Sequence, residues 1–462
     1  MIPWVWSHLE VIAGFLLASI IIAHMIRQRH SPSATSAWLL VIVLLPYVGV
    51  PLYLLLGGRK MKMVATSKAD IKLYDRDVYP MEEAPPMDRL LRSYGIPGAN
   101  AGNRVHLHAT GEEGYAALVE LIEGASDDIR IATFILHPDE VGKDIIKRLG
   151  RRAAEGVDVR LLLDGVGSFS TGKNALAPLT SKGGRVAFFL PVIHRPFRGR
   201  TNLRNHRKIA IADGQRVIAG GTNIASEYIG PTPEEGRWRD LSFLLEGPAV
   251  RHYEDVFRMD WAFATGEMLE PRPESGHPVA GDGEGAIVQV VPSGPDVPGD
   301  PLYDAILSAA FAAKRRLWFI TPYFVPDDAL AQALSLSAHR GIDLRILMPA
   351  RSNHLMADLV RGTYLRDIQE AGGKILLYTK GMVHAKIMLM DDDLAMVGSA
   401  NIDMRSLYLN YETAMFIYSR PDVVAAESWI QSLAEDTVWG VGEVGFLRDM
   451  LEGVMRMLAP LV

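Results

Sequence analysis

The sequence predicts an α/β protein of two lobes that repeat one pattern, preceded by a helical hairpin that crosses a membrane. Three observations lead there. A short motif recurs with the same internal spacing, strand-like stretches alternate with helix-like ones around both copies, and two long apolar segments open the chain. At 462 residues the chain has room for two or three domains and a large core. A net charge of −6 argues against a nucleic-acid binder, and the absence of cysteine excludes disulfides and thiolate chemistry.

The hairpin comes first. Residues 4–26, WVWSHLEVIAGFLLASIIIAHMI, are mostly apolar, with Glu10 and two histidines as polar interruptions. Residues 37–56, AWLLVIVLLPYVGVPLYLLL, hold no charge over 20 positions, about the length that crosses a bilayer core. A secretory leader is the rival for the first segment, but a basic start and a small-residue cleavage site are both missing. Pro46, Gly49 and Pro51 leave a kinked or re-entrant second segment open. Two spans return the chain to its starting side. Arg27 and Arg29 lie in the loop, whereas Arg59, Lys60, Lys62, Lys68, Lys72 and Arg76 follow the second span. Because flanking Lys and Arg are retained in the cytoplasm, this bias puts the large domain inside.

The Pro-rich, acidic VYPMEEAPPM (78–87) reads as part of a connector, 59–105, behind the membrane segment 1–58. The first lobe, 106–269, offers a helix at 114–125, a strand at 129–136, and a helix leading into the strand of AAEGVDVRLLLDG (153–165). A hairpin around His206 follows. The linker 270–286 is rich in Pro, Gly and acid. The second lobe, 287–462, repeats the order with PLYDAILSAAFAA (301–313), LWFITPYF (317–324), AHRGIDLRILMPA (338–350) and a hairpin around His384. Strands alternating with helices predict an α/β sheet in each lobe. In the closing stretch 443–458, Val444, Leu447, Leu451, Val454 and Leu458 share one helical face. That face is expected to pack on the core, with membrane contact as the alternative.

The repeated motif carries the chemistry. RNHRKIAIADGQRVIAGGTN (204–223) contains His206, Lys208 and Asp213; VHAKIMLMDDDLAMVGSAN (383–401) contains His384, Lys386 and Asp391. A glycine follows each histidine by 14 residues and an asparagine by 17, namely Gly220 and Asn223, Gly398 and Asn401. One such pattern arises by chance; two at equal offsets mark a duplication. Residues two apart on a strand face the same way, so each motif projects an imidazole and an ammonium together. Two lysines suit a substrate with anionic oxygens, and two histidines supply a nucleophile and a proton carrier. Phosphodiester transfer needs that set, because phosphate resists attack until its charge is balanced. A zinc site fits poorly: lysine is rarely a ligand and no H-E-x-x-H is present. The triple Asp391–Asp393 reads as a hairpin turn.

Both motifs resemble the H-x-K-x-x-x-x-D signature of the phospholipase D superfamily. Within it, RNHRKIAIADG, GGTNIASEY, TPYFVPD, HAKIMLMD and GSANIDMRSLYLNYE are similar to bacterial cardiolipin synthases, as are the N-terminal hairpin, the length and the closing LAPLV. The resemblance spans nearly the whole chain. One departure is KGMVHAK, where the family usually has leucine before the histidine. It implies two phospholipase D-like lobes around one site and transfer of a phosphatidyl group between two phosphatidylglycerol molecules through a phosphohistidine. By analogy His206 attacks and His384 is the acid and base, although symmetry leaves that assignment open. Lys208, Lys386, Asn223 and Asn401 would bind phosphate oxygens. Asp240 and Glu412 stand where the family holds each histidine ring, 34 and 28 residues after the histidine that precedes them. Asp213 and Asp391 complete the catalytic motifs and are expected to tie the hairpins together. No metal, cofactor or nucleic-acid partner is implied. The expected partners are phosphatidylglycerol and other membrane lipids, in a bacterial inner membrane with the lobes cytoplasmic. The alternatives are a phospholipase D that transfers to water, a tethered phosphodiesterase acting on nucleic acid, and a scaffold, which would need one motif damaged. The basic, aromatic stretch 186–208 reads either as a lip on anionic headgroups or as a buried strand and solvated loop.

Overall fold

The structure is a computed structural model. It describes residues 84–191, 203–271 and 285–458, and before them residues 32–45, Lys68, residues 70–73 and a few isolated positions. The apolar segment 4–26 lies almost wholly outside the described residues, as do 192–202 of the basic stretch and most of the linker.

Among the described residues two helices precede the lobes, α1 (Pro32–Leu44) and α2 (Pro86–Arg92). The first lobe runs β1 (Asn100–His108), α3 (Gly111–Gly124), β2 (Asp128–Thr133), α4 (Glu140–Ala154), β3 (Asp158–Asp164), α5 (Lys173–Thr180) and β4 (Arg185–Phe189). The hairpin β5 (Ile209–Ala212) and β6 (Arg216–Gly220), then β7 (Ser242–Glu246) and α6 (Val250–Thr265), complete it. The second lobe repeats this with β8 (Ala286–Ser293), α7 (Pro301–Ala312), β9 (Arg316–Ile320), β10 (Phe324–Val325), α8 (Asp328–His339), β11 (Asp343–Pro349), α9 (Leu355–Glu370) and β12 (Lys374–Tyr378). Its hairpin is β13 (Ile387–Met390) and β14 (Leu394–Gly398). After it come β15 (Ile402–Asp403), α10 (Met404–Tyr408), β16 (Glu412–Ile417), α11 (Arg420–Ala434), β17 (Thr437–Trp439) and α12 (Phe446–Leu458).

The lobes do not keep separate sheets. β1 and β8 pair antiparallel, and the result is one 15-stranded sheet. Outward from that seam the order is β1-β7-β6-β5-β2-β3-β4 on one side and β8-β16-β14-β13-β9-β11-β12 on the other, with β17 appended. Apart from β17, each strand of this sheet therefore has a counterpart in the other lobe, as a duplication requires. β1 begins at Asn100, inside the stretch that composition assigns to the connector.

Helices cover both faces of the sheet. α3, α4 and α5 pack under one lobe and α7, α8 and α9 under the other. On the opposite face α6 and α11 close a core that crosses the seam, through Tyr253, Phe257 and Trp261 of α6 and Val423, Ile430 and Leu433 of α11. Coverage on both faces explains why β3 and β11 read as apolar runs without alternation. The helix starts are set locally. Thr110 accepts the Glu113 amide, Asp139 accepts the Gly142 amide and Asp327 accepts the Leu330 amide, each an N-cap.

The C-terminal helix departs from expectation. α12 turns its charged face toward α9, where Arg366 bonds Asp449 (3.0 Å) and Glu452 (2.7 Å) and Arg456 bonds Asp367 (2.7 Å). Glu452 is fully buried, whereas Leu447, Leu451 and Val454 stay exposed. Periodicity identifies an apolar face but not its direction. Here the ion partners on α9 decide it.

Candidate active site

Each histidine sits just before its hairpin, and the backbone there pairs across the lobes. Asn205 bridges Tyr411 and Val383 bridges Arg239, both parallel. The His206 amide donates to the Tyr411 carbonyl (2.9 Å), and the His384 amide donates to the Arg239 carbonyl (2.7 Å). In each bridge, the residue after one partner is a motif histidine and the residue after the other is an acid. His206 Nδ1 consequently lies 2.9 Å from Glu412 Oε1, and His384 Nδ1 lies 2.7 Å from Asp240 Oδ2. Along the chain Asp240 follows His206 and Glu412 follows His384; in space they are exchanged. That exchange removes any need for the offsets of 34 and 28 to match.

A carboxylate on Nδ1 fixes the proton there and leaves Nε2 for chemistry, with Lys386 Nζ 3.2 Å from Nε2 in the His384 ring. The rings are also gripped by aromatics. Phe134 stands edge-on to His206 at 4.9 Å, and Tyr228 edge-on to His384 at 5.1 Å. Both histidines, with Asn223 and Asn401, line one cavity of about 390 Å³ between the lobes. Asn223 accepts the Ile135 amide at its carboxamide oxygen (3.1 Å), which leaves its NH2 for the cavity side.

The lysines are placed differently from a simple phosphate clamp. Lys208 Nζ donates to the His206 carbonyl (2.7 Å) and Lys386 Nζ to that of His384, and neither lysine lines the cavity. Lys386 Nζ also stands 2.7 Å from Nδ1 of the His384 ring. Burial pushes both lysines down, Lys386 to about 8. Burial likewise lowers both histidines, His384 to about 3 with Lys386 adding to the effect. Burial alone would raise Glu412 and Asp240, but the neighbouring imidazole and ammonium groups hold both below the usual carboxylate range. Two ammoniums, two carboxylates and two neutral rings sum to zero charge. An entering phosphodiester adds one negative charge, which favours protonated lysines and one imidazolium.

Asp213 and Asp391, counted with the catalytic motifs, do not line the cavity. Each occupies the left-handed backbone region, at φ 54° and 51°, and turns its carboxylate to three amides. Asp213 accepts from Ser126 (2.8 Å), Asp127 (2.7 Å) and Asp128 (3.0 Å). Asp391 accepts from Lys314 (3.1 Å), Arg315 (2.8 Å) and Arg316 (3.1 Å). They pin the hairpin tips to the turns that start β2 and β9, as the hairpin-tying role expects. Aspartate tolerates this backbone region better than most residues. The motif glycines have a different reason: a Cβ on Gly220 would meet the Leu241 carbonyl at 2.5 Å, and one on Gly398 the Thr413 carbonyl at 2.6 Å.

Sequence reasoning missed Ser399, whose hydroxyl donates to Glu412. Its counterpart is Gly221, where a Cβ would come within 2.3 Å of Asp240 Oδ1. The shorter aspartate brings its backbone closer and excludes a side chain; the longer glutamate admits one. The G-G-T-N against G-S-A-N difference was the available signal. Arg204 and Arg405 also line the cavity, and Arg204 bonds the Leu190 carbonyl (3.0 Å). Arg207 is wholly buried between Asp260 (2.7 Å) and Asp296 (3.2 Å). The described ends of the basic stretch are therefore interior, and 192–202 between them lie outside the described residues.

The chain matches a family model described as cardiolipin synthase, phospholipase D-like domain, over residues 118–261 and 306–434. Residues 16–58 match a second, the phospholipase D-nuclease N-terminal family. A cardiolipin synthase of Geobacillus thermodenitrificans is 34% identical over 85% of this chain and 80% of its own length. One of Halalkalibacterium halodurans is 32% identical over 99% of this chain and 95% of its own. Among solved structures, phosphatidylserine synthase of Haemophilus influenzae shares the fold, with a TM-score of 0.58 at 18% identity over 81% of this chain and 96% of that one.

Proposed function

The chain belongs to the cardiolipin synthases built on a phospholipase D-like domain, and from that premise we infer how this phosphatidyltransferase makes cardiolipin from phospholipid. His206 Nε2 attacks the phosphorus of one phosphatidylglycerol. The P–O bond to the headgroup glycerol breaks, and that oxygen takes a proton from His384 Nε2. The phosphatidyl group now rests on His206. A second phosphatidylglycerol enters, and its terminal hydroxyl gives a proton to His384 while its oxygen attacks phosphorus. The P–N bond breaks, and cardiolipin and glycerol leave with both rings restored. Lys208 and Lys386 offset the charge of the phosphoryl oxygens from behind the rings, Asn223 and Asn401 donate from the wall, and Glu412 and Asp240 hold the ring tautomers.

What carries this reading is the pair of buried imidazoles, each with Nδ1 on a carboxylate, facing one cavity. Assignment of attack to His206 rests on family analogy. The test is the product profile of detergent-purified protein given phosphatidylglycerol alone, in EDTA. Cardiolipin and glycerol should appear in equal amounts with little phosphatidic acid. His206→Ala and His384→Ala should each lose several orders of magnitude in rate while keeping the circular dichroism of the parent. Near-normal turnover in either variant would refute the two-histidine mechanism.

The same reading places residues 1–58 in the bacterial inner membrane as a hairpin, with both lobes on the cytoplasmic face. Two things support it: the match of residues 16–58 to the N-terminal family and the apolar surface that α1 leaves exposed at Leu40, Val43 and Leu44. No helix among the described residues is long and apolar enough to cross a membrane, and Trp38 meets Tyr53 at 5.2 Å, the folded-back form that Pro46, Gly49 and Pro51 allow, so the crossings are proposed from sequence alone. We divide the rest as a connector, two lobes and the linker near 270–286.

A further inference from the structure

We propose that α12 is an interfacial helix, lying with its apolar face in the headgroup–acyl boundary of the bilayer and holding the catalytic mouth against the lipid surface. Its two faces are used in the reverse of the usual sense. Phe446 is 80% exposed, Leu447 74%, Met450 55%, Leu451 47% and Val454 49%. The opposite face is fastened to the protein. Glu452 is buried among Arg366 and Arg448, and a Cβ on Gly362 would sit 2.2 Å from its carboxylate, so a glycine on α9 makes the room. Arg456 adds an ion pair to Asp367 and stacks over Tyr364 at 4.3 Å. With Glu452 buried and Arg448, Asp449 and Arg456 paired on the side toward α9, although Arg448 and Asp449 stay largely exposed there, the helix presents an apolar strip on its other side, and such strips mark contact with an apolar phase.

The bilayer is the occupant that its surroundings favour. α12 packs against α1, whose own outward residues Leu40, Val43 and Leu44 continue the strip. The 31 residues before α1 include the apolar segment 4–26, proposed above as a membrane span. Arg448, 64% exposed at its side chain, stands beside the strip where a guanidinium can reach anionic headgroups. The strip also adjoins the active site. A groove of about 660 Å³ between α9 and α12 is lined by Asn353, Leu355, Val444 and Glu452, and Asn353 lines the catalytic cavity as well. Leu355 and Met356, at the start of α9, are exposed, and Met356 is part of the cavity wall. With α12 in the interface, a phosphatidylglycerol headgroup reaches the histidines without its acyl chains crossing water.

This inference builds on the membrane placement proposed above, but it is read without turnover. The chain has no cysteine, so Leu447→Cys and Leu451→Cys each accept one nitroxide in the full-length protein. Ser428→Cys, on the exposed side of α11, is the water-facing control. In vesicles of phosphatidylethanolamine and phosphatidylglycerol, oxygen should relax the labels at 447 and 451 more than a nickel chelate does, with the reverse at 428. Nickel access at 447 and 451 equal to that at 428 puts the face in water and overturns the proposal. Shielding from both reagents means that protein covers it, either residues 1–31 or a second copy, and overturns it equally. A Leu447→Glu, Leu451→Glu double variant should lose about tenfold or more of its turnover on vesicles, as the loss of two buried apolar side chains implies, and keep its rate on detergent-dispersed lipid. Equal vesicle rates also contradict it.

Discussion

Replacing Glu412 by Gln removes the negative charge beside the Nδ1–H of His206 and sets an amide NH2 donor where a second acceptor oxygen stood. The rate should drop between about 10² and 10⁴-fold, because the wrong tautomer then competes. The crossed pairing adds a sharper expectation. Glu412→Gln should move the ¹⁵N resonance of Nδ1 in His206 and not in His384, and Asp240→Asn the reverse; same-lobe responses would contradict it. Acidity follows from burial. Lys386, pushed down to about 8, is charged below that pH and loses its charge as pH rises through it. kcat/KM for phosphatidylglycerol should therefore fall above about pH 8, and Lys386→Arg should move that limb upward even if the rate is lower. The sign for stability is opposite in direction. His384 is held down to about 3, so as pH falls below its ordinary 6.5 the unfolded chain gains a proton that the folded one refuses. Urea midpoints should decline through that window, and less so in His384→Phe. At this scale the sequence was highly legible, since His206, Lys208, His384, Lys386, Asn223, Asn401, Asp240 and Glu412 all meet at the lobe interface. The exchange of acids was not, because it depends on two single-residue bridges between segments 206 and 144 positions apart, which no local pattern encodes.

The elements around the site are held by buried polar anchors that also predict. Asp213→Ala frees the β5–β6 hairpin tip from the amides of Ser126, Asp127 and Asp128 and should cost about 2–4 kcal/mol in urea unfolding, from charge-assisted bonds lost and amides left unpaired. Lys68 is a second anchor. It bonds Asp260 of the first lobe and Asp296 of the second, beside Arg207 and over the Tyr411 ring at 4.6 Å. The connector is thereby tied to the seam one residue from His206. Lys68→Met leaves two buried carboxylates with Arg207 as their principal cation and should cost about 3–5 kcal/mol. An unchanged unfolding midpoint would show the tie to be dispensable. The β-α alternation of both lobes was readable from apolar runs bounded by turns. Short pieces were not: β10 and β15 are two-residue strands that exist only because they pair with each other. α2 begins at Pro86, in a stretch that composition reads as a linker, because proline suits a first helical turn as well as a loop.

At the level of the whole molecule, duplication explains the architecture: two copies of one strand order meet at β1 and β8, and their hairpins then face one cavity. The repeat was legible from spacing, whereas fusion of two sheets into one was not, since the seam strands carry no motif. Anchoring belongs to this scale too. Deleting residues 1–58 keeps Lys68 and both lobes, so activity on detergent-dispersed lipid should persist while action on vesicles weakens. Tags at Ser33 and Gly57 in intact spheroplasts should show labelling by an impermeant reagent only at Ser33; labelling only at Gly57 would reverse the orientation. The account turns on two successive displacements at one phosphorus, and stereochemistry reads that directly. Phosphatidylglycerol made chiral at phosphorus with sulfur and an oxygen isotope should give cardiolipin with net retention, because attack by His206 and then by the acceptor hydroxyl each invert the centre. Net inversion would mean a single direct transfer and would contradict the phosphohistidine route.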